Sequence, residues 1–287
     1  MSAVTSELTT KADRDRAKEA RNRRHIAISA VSIAVVLGLA ALAILTSPGW
    51  PAVRREFFST HEFASSFGSV LSGFWLDVRI FLLVELAVLI LGMLIALCRI
   101  ASVPILFPLK VVCVVFVDVM RGVPTLLTVY VIGFGVPALN LSGVPTSPTL
   151  LGGIALTMCY SAYVSEVFRA GIQSVHPSQG GAALALGLTR QQALRYVIVP
   201  QAVRRVLPPL LNDFISVQKD VVLISVLGPA EALRMAEVAS AANFNYTPYL
   251  SAAALYLCIT VPLTRIVDRM QARTLTERGG MLALGPR

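Results

Sequence analysis

The stretch QGGAALALGLTRQQALRYVIVP, residues 179–200, lies between long apolar runs without being one itself. It carries alanine, leucine and glycine at helical spacing, followed by Arg190, Arg195 and a closing Pro200. Such a segment is too polar to cross a lipid bilayer and too apolar to serve as a flexible linker. Its position on one side of a membrane therefore decides how the rest of the chain is interpreted.

The composition of the chain is that of a membrane protein. Of its 287 residues, 55% are hydrophobic and 14% are charged, and the mean hydropathy is +0.72, whereas soluble domains contain about 25% charged residues. The formal net charge of +9 arises from short basic clusters between apolar runs. Such clusters are typical of topology signals rather than of a continuous basic face, so no nucleic acid partner is predicted.

Six apolar stretches are long enough to cross a hydrocarbon core, which needs about 20 residues of helix. None alternates with the period of a barrel strand, so we predict an all-α integral membrane helical bundle. The third stretch is broken near Pro124, and the second could begin as early as Phe67. The predicted spans are 26–45, 79–97, 109–139, 149–168, 206–227 and 249–267. The first is longer than a signal-peptide core of 7 to 15 residues, so it is predicted to remain as an anchor.

The distribution of lysine and arginine predicts that both termini lie in the cytoplasm. Basic residues are concentrated in the N-terminal tail, the 98–110 loop, the region 169–205 and the C-terminal tail. The opposite side carries chiefly Arg54, Arg55, Arg79 and Arg234. The 179–200 segment is therefore predicted to face the cytoplasm. The predicted organisation is a basic tail (1–25), a first transmembrane helix (26–46), an external connector (47–69), a transmembrane domain (70–272) and a second tail (273–287).

The 179–200 segment and the residues just before it predict two short helices joined by a glycine turn. Ser178 is the expected N-cap of the first helix, and Gly187 is placed as its end. Thr189 is expected to cap the second helix, and Pro200 to end it. Two interpretations follow: a docking element for a soluble cytoplasmic partner, or an amphipathic helix in the lipid headgroups with its arginines on phosphates.

Several ordered motifs at matching spacing then resemble the polar amino acid branch of type I ABC importer permeases, over about residues 70 to 272. The first motif comprises Tyr163, Glu166, Arg169, Gly171, Ile172, Gln173 and Ser174. The second and third comprise Gln179, Ala182, Ala183, Leu186 and Gly187, then Val199, Pro200, Gln201 and Ala202. A fourth comprises Pro208, Pro209, Asn212, Asp213, Lys219 and Asp220, and RGVP at 121–124 resembles an earlier element.

The resemblance implies a core of five transmembrane helices, here with one extra N-terminal helix, in a bacterial cell membrane. Residues 172–203 would form a coupling loop that docks on an ABC ATP-binding subunit. A solute-binding protein outside the cell would deliver the substrate, and a second permease subunit would complete the pore. The coupling contacts are expected at Gln179, Gly181, Ala182, Ala183, Leu186, Gly187 and Pro200.

No cofactor is expected on this chain, because the partner subunit uses the ATP and the sequence has no GxxxxGK[ST] phosphate loop. The cysteine and histidine residues show no ligand spacing, so no metal site is predicted. No enzymatic activity is predicted either, because no clustered catalytic constellation is present.

The chain departs from the branch pattern where Gly181 replaces the usual glutamate of the coupling motif. One explanation is an asymmetric complex in which a second permease keeps the fuller motif, so a heterodimer and a homodimer both remain open. The substrate also remains open. A glutamate- or glutamine-like or a basic amino acid is expected, and cystine or a compatible solute such as ectoine is the alternative. A stand-alone secondary carrier would need paired broken helices in two halves, which the sequence does not show.

Charged residues within apolar stretches are expensive in lipid and are candidates for a substrate path or gate. Arg121, Glu166 and Lys219 are favoured, because a polar amino acid carries both charges. Asp118 and Asp220 are further candidates; Asp118 is expected to pair with Arg121 at i, i+3, and Lys219 needs a partner on another helix. The alternative is that these charges form ion pairs that only hold helices together.

Overall fold

A computed structural model of the chain describes residue 25, residues 27–101 and residues 103–282, with side chains up to residue 271. All regular structure in these ranges is helical, as predicted. The helices are α1 (Ala27–Leu45), α2 (Trp50–Phe57), α3 (Thr60–Ile100), α4 (Phe107–Gly122), α5 (Thr125–Ala138), α6 (Pro148–Gln173), α7 (Pro177–Ala185), α8 (Arg190–Ala193), α9 (Val199–Asp220), α10 (Ala232–Asn243) and α11 (Thr247–Leu282).

Three tighter or wider helical pieces connect these elements. A 3-10 turn at Pro104–Leu106 leads into α4, a π-helix at Leu194–Ile198 joins α8 to α9, and a 3-10 helix at Val221–Leu227 continues α9. Residues 1–24 and 283–287 lie outside the described residues, so the predicted tails are described only at residue 25 and along the backbone of 273–282, where α11 continues.

The chain forms two compact units, of which the first ends at Phe58. In this unit, the residues of α1 are exposed along its length, and α2 occupies part of the predicted connector. The second unit begins at Ser59, whose hydroxyl accepts a hydrogen bond from the Glu62 backbone N–H and so caps α3. The predicted connector, 47–69, therefore contains α2 and the first residues of α3, which starts at Thr60.

Among the described residues, four helices are long and apolar enough to cross a membrane: α1, α3, α6 and α11. The third predicted stretch is divided at Val123 and Pro124 into α4 and α5, and α5 is apolar but shorter. The fifth predicted stretch corresponds to α9 and the 3-10 helix that follows it. It is not among the four because polar side chains, among them Asn212 and Lys219, interrupt its apolar surface.

Helices α3 and α6 form the centre of the second unit and pack on α9 and the 3-10 helix. Small residues permit this close packing. A Cβ on Gly92 would lie 2.8 Å from a methyl carbon of Val164, and a Cβ on Gly152 would lie 2.7 Å from one of Ile224. Substitution at these glycines therefore requires the helices to separate.

Helix α10 is fixed to α3 and α11 through a buried carboxylate. Asp77 Oδ2 accepts hydrogen bonds from the Ala232 backbone N–H at 3.2 Å and from the Tyr256 hydroxyl at 2.8 Å. Glu231 caps α10 by accepting from the backbone N–H groups of Leu233 and Arg234. Burial raises the pKa of the Glu231 carboxyl above its ordinary value, and those two backbone donors oppose the shift.

Candidate functional site

The coupling loop begins with α7, whose N-cap is His176. Its Nδ1 accepts a hydrogen bond from the Ser178 backbone N–H at 3.2 Å. The prediction that Ser178 is the cap is wrong. Because Pro177 occupies the first helical position, the cap falls on the residue before it.

The predicted glycine turn at the end of α7 is confirmed. Gly187 has a φ of +85°, which glycine adopts without steric cost. The backbone N–H of Leu188 donates to the Ala183 carbonyl at 3.2 Å, and that of Gly187 to the Leu184 carbonyl at 3.0 Å. This pair of bonds is the Schellman arrangement, which satisfies the carbonyls at a helix end.

The second helix starts at a capping box, as its sequence predicts. Thr189 Oγ1 accepts from the Gln192 backbone N–H, and Gln192 Oε1 accepts from the Thr189 backbone N–H at 2.9 Å. The prediction that Pro200 ends this helix is wrong, because the helical backbone continues through the π-helix into α9. Pro200 lies in the first turn of α9, where its missing N–H does not break the backbone pattern.

The predicted coupling residues are exposed with one exception. Ala183 is buried within the chain, at 3% exposure, so a direct contact of its side chain with a partner stays a prediction that would require α7 to shift. Leu186 is 84% exposed at the end of α7. A Cβ on Gly181 would have no atom within 4 Å, so that position faces open space. The exposed members are Gln179, Gly181, Ala182, Leu186, Gly187 and Pro200.

The coupling loop is braced against the spanning helices. Gln201 Nε2 donates to Gln179 Oε1 at 3.3 Å, which links the start of α9 to α7. Arg205 donates to the carbonyl of Ser174 and, at 3.1 Å, to its hydroxyl, just after α6 ends. These contacts connect α7 and the end of α6 to the start of α9.

Glu166 lies at the centre of an arginine cluster where α3, α4 and α6 end. It forms an ion pair with Arg99 of α3. Arg169 contacts the same carboxylate at 2.6 Å, and Arg121 of α4 approaches it to 3.9 Å. The Arg121 guanidinium also lies 5.7 Å from the centre of the Tyr163 ring. The predicted Asp118–Arg121 pair is not formed within the described residues, because Arg121 is directed toward Glu166 instead.

Lys219 and Asp220 are adjacent at the end of α9, and their side chains lie in different surroundings. Asp220 accepts a hydrogen bond from the Tyr160 hydroxyl of α6 at 2.6 Å. Lys219 is exposed, and within the described ranges it has no ion-pair partner at 4.0 Å or less. The partner expected for Lys219 on another helix is therefore not found in this part of the chain.

Two buried carboxyl groups lie outside the predicted path and gate residues, although the sequence places both in apolar stretches. Glu85 of α3 is 7% exposed, and its Oε2 has no hydrogen-bond partner among the described residues. Asp213 of α9 also has a buried oxygen, Oδ2, without a hydrogen-bond partner among the described residues. The carboxyl groups of Glu85 and Asp213 interact electrostatically. Both are acidic residues in apolar stretches, which was the available signal. Their proximity depends on the packing of α3 on α9, where the Phe81 and Phe214 rings meet edge to face at 4.7 Å.

A cavity of about 660 Å³ opens between α6, α9 and α11 next to the arginine cluster. Arg204, Arg205 and Gln271 line it together with Glu166. The cavity lies at the same end of the helices as the coupling loop. Charged groups of both signs therefore border a space large enough for a small polar molecule.

Comparison with known proteins places this geometry in a family. Residues 88–276 match the family described as the binding-protein-dependent transport system inner membrane component. The chain belongs to this family. It is therefore a multi-pass inner-membrane transport component and not an enzyme.

Individual relatives extend the match over most of the second unit. The chain is 37% identical over 163 residues to the glutamine transport system permease protein GlnP of Escherichia coli (strain K12), covering 56% of this chain and 74% of that protein. It is 34% identical over 245 residues to the L-cystine transport system permease protein TcyB of Bacillus subtilis (strain 168), covering 83% and 98%.

The fold agrees with a solved structure of the same kind. That structure, described as an amino acid ABC transporter with histidines, superposes with a TM-score of 0.67 at 32% identity, over 75% of this chain and 98% of that one. The helical arrangement is therefore that of a permease.

Proposed function

We propose that the chain is the membrane permease subunit of an ATP-driven ABC importer for a polar amino acid. The observation that carries the proposal is the braced coupling loop with its exposed apolar tip, on a chain of this transport family. The names of the relatives, which specify glutamine and L-cystine, support a polar amino acid as the substrate. Glutamine-like and basic amino acids are the preferred candidates, with cystine or a compatible solute as alternatives.

An ABC ATP-binding subunit is the proposed partner of α7. Its ATP-driven closure would push on the exposed side of α7, and the links from Gln201 and Arg205 would pass the movement to α9 and α6. This chain itself would bind no cofactor. A solute-binding protein would deliver the substrate on the other side of the membrane.

The proposed topology has six crossings with both termini in the cytoplasm. Helices α4 and α5 together would supply the third crossing, and α9 with its 3-10 continuation the fifth. Helix α1 would be the additional N-terminal crossing. The polar face of α9 includes Lys219, which has no ion-pair partner in the part of the chain that the structure describes. This face is suited to a water-filled path shared with a second permease subunit, which could be identical to this chain or different from it.

The charged candidates are proposed to divide into two groups. Glu166 contacts Arg99, Arg121 and Arg169, so it would hold α3, α4 and α6 together. Lys219 is the candidate for direct contact with the substrate carboxylate. Asp220 would orient the end of α9 through Tyr160, and the exposed Asp118 would line the path.

Transport by reconstituted vesicles tests the proposal. The permease would be combined with its ATPase, its binding protein and any paired permease, and offered labelled amino acids with and without internal ATP. ATP-dependent accumulation of one polar amino acid is expected. Uptake indifferent to ATP, or driven by an ion gradient, would mean that the chain acts as a secondary carrier.

A pair of matched variants separates the coupling loop from general effects. Leu186→Ser changes an exposed side chain at the C-cap of α7, and Leu141→Ser changes an exposed side chain in the α5–α6 connection. Leu186→Ser is expected to lose uptake while the protein still reaches the membrane, and Leu141→Ser to retain it. Equal uptake by both variants would remove α7 as the docking site.

A further inference from the structure

The second half of the coupling loop borders a groove that the transport function does not use. The groove has a volume of about 370 Å³ and lies between α3, α6, the π-helix and α9. Its lining includes Met93 and Leu97 near the end of α3, and Phe168 and Ile172 near the end of α6. All of its lining side chains are apolar, which makes water a poor occupant although a single water needs only about 30 Å³.

The rim of the groove is apolar and open. Leu194 is 52% exposed and Val203 is 53% exposed, and both line the groove. These residues lie at the level where the long apolar helices α3 and α6 end. At this depth, a surface that protein does not cover meets lipid acyl chains.

Basic side chains lie next to the groove-lining residues along the second half of the coupling loop. Leu194 and Val199 line the groove, and Arg195 lies about one turn before Val199 on the same continuous helix. Arg190 and Arg195 are exposed, and among the described residues neither has an ion-pair partner. Tyr196 is also exposed beside Arg195, as is typical of an aromatic residue at a membrane interface.

We propose that this groove binds an anionic phospholipid, with one acyl chain between α3, α6 and α9 and the headgroup phosphate on Arg195. The apolar lining selects a hydrocarbon chain, and the unpaired arginine at its end selects a negative headgroup. Arg190 adds positive charge on the same short helix. The coupling loop would then have two parts: α7 presented to a protein partner, and residues 190–198 held at the lipid surface.

Photolabelling of the full chain in liposomes tests the site. The probe is phosphatidylglycerol with a photoreactive diazirine on one acyl chain, present at low fraction in phosphatidylcholine. The expected labels fall on peptides that contain Leu97, Leu194 or Val203. The same diazirine on phosphatidylcholine is expected to label these peptides several-fold less. Excess unlabelled phosphatidylglycerol should compete, and inorganic phosphate should not.

Substitutions test separately the proposed contacts with the lipid headgroup and with its acyl chain. Arg195→Gln is expected to lower phosphatidylglycerol labelling roughly fivefold, toward the phosphatidylcholine level. Arg204→Gln is the matched control, because Arg204 is an exposed arginine on α9 that lines the other cavity, and it should leave labelling unchanged. Val203→Phe should lower labelling by both lipids, since the larger ring fills the mouth of the groove.

Three outcomes would overturn the proposal. Equal labelling by the two lipids, or an equal loss in Arg204→Gln and Arg195→Gln, would show that Arg195 does not select a headgroup. Labels spread evenly over the exposed apolar helices would show that no groove is occupied. Competition by inorganic phosphate would show an anion site without an acyl chain. The assay needs neither ATP nor the ATPase, so its result is independent of the proposed transport function.

Discussion

Replacement of Gly73 by alanine tests the junction between α3 and α10. A Cβ at this position would lie 2.6 Å from the Glu231 carbonyl carbon and 2.7 Å from the Ala232 backbone nitrogen. Both are backbone atoms, so no side chain can rotate away. Helix α10 must therefore move from α3, which stretches the hydrogen bond from Ala232 to the buried Asp77 carboxylate.

The expected change in the free energy of unfolding combines two destabilising terms and one stabilising term. Forcing a methyl group into a packed contact costs about 1–3 kcal/mol. Losing a hydrogen bond to a buried carboxylate costs about 1.5–3 kcal/mol. The higher helix propensity of alanine stabilises the folded state by about 1 kcal/mol. Gly73→Ala should therefore lower the free energy of unfolding by about 1.5–5 kcal/mol.

Gly68 provides a matched control on the same helix. It is exposed, and a Cβ there would meet no atom within 4 Å. Gly68→Ala should raise the free energy of unfolding by up to about 1 kcal/mol. Both variants would be unfolded by denaturant titration in mixed micelles. If Gly73→Ala proved as stable as Gly68→Ala, the close approach of α10 to α3 would be refuted.

Three further substitutions test the coupling loop and the charge cluster. Gly171→Ala would place a methyl group against the Val206 side chain, so it should lower the thermal unfolding midpoint. Because the obstacle is a side chain, adding Val206→Ala to the same chain should restore that midpoint. A double variant no more stable than the single one would contradict that reasoning. Glu166→Gln should lower the free energy of unfolding by about 2–4 kcal/mol, because it leaves the surrounding arginines without a carboxylate. A wild-type free energy of unfolding in a denaturant titration would show that the cluster does not stabilise the fold. Gly187→Ala should weaken ATP-driven uptake, because a φ of +85° costs alanine about 1–2 kcal/mol. Gly143→Ala carries a similar φ of +81° in the α5–α6 connection, outside the predicted coupling loop, and should transport normally. Equal transport by both would remove the need for this turn.

Local features of the fold were predictable because their causes are local. An apolar run of about 20 residues has to form its own hydrogen bonds in lipid, so its helical state follows from its composition. The turn at Gly187 and the capping box at Thr189 each depend on a few consecutive residues. The errors at Ser178 and Pro200 are also local: proline at position 177 moves the cap back by one residue, and proline at 200 is harmless in a first turn.

Contacts between distant residues were not predictable in the same way. Arg99 appeared to be a topology signal, yet it contacts Glu166, which is 67 residues away in the chain. The buried carboxyls of Glu85 and Asp213 belong to α3 and α9, which pack on one another. Each of these charges was visible in the sequence. The partner of each charge could not be identified, because a charge pattern alone does not specify which helix ends lie together in the fold.

The exposure of consecutive residues explains how one loop can face two environments. Leu186 projects from the end of α7 without contacting the groove, whereas Leu194 and Ile198 line it. Gly187 separates the two sets, and its positive φ lets the chain change direction between them. A single amphipathic helix would have placed all three side chains on one surface, so the break at Gly187 allows a protein partner and the lipid to be contacted at once. The contacts of Gln201 and Arg205 follow both sets along the chain and connect the start of α9 to α7 and to the end of α6.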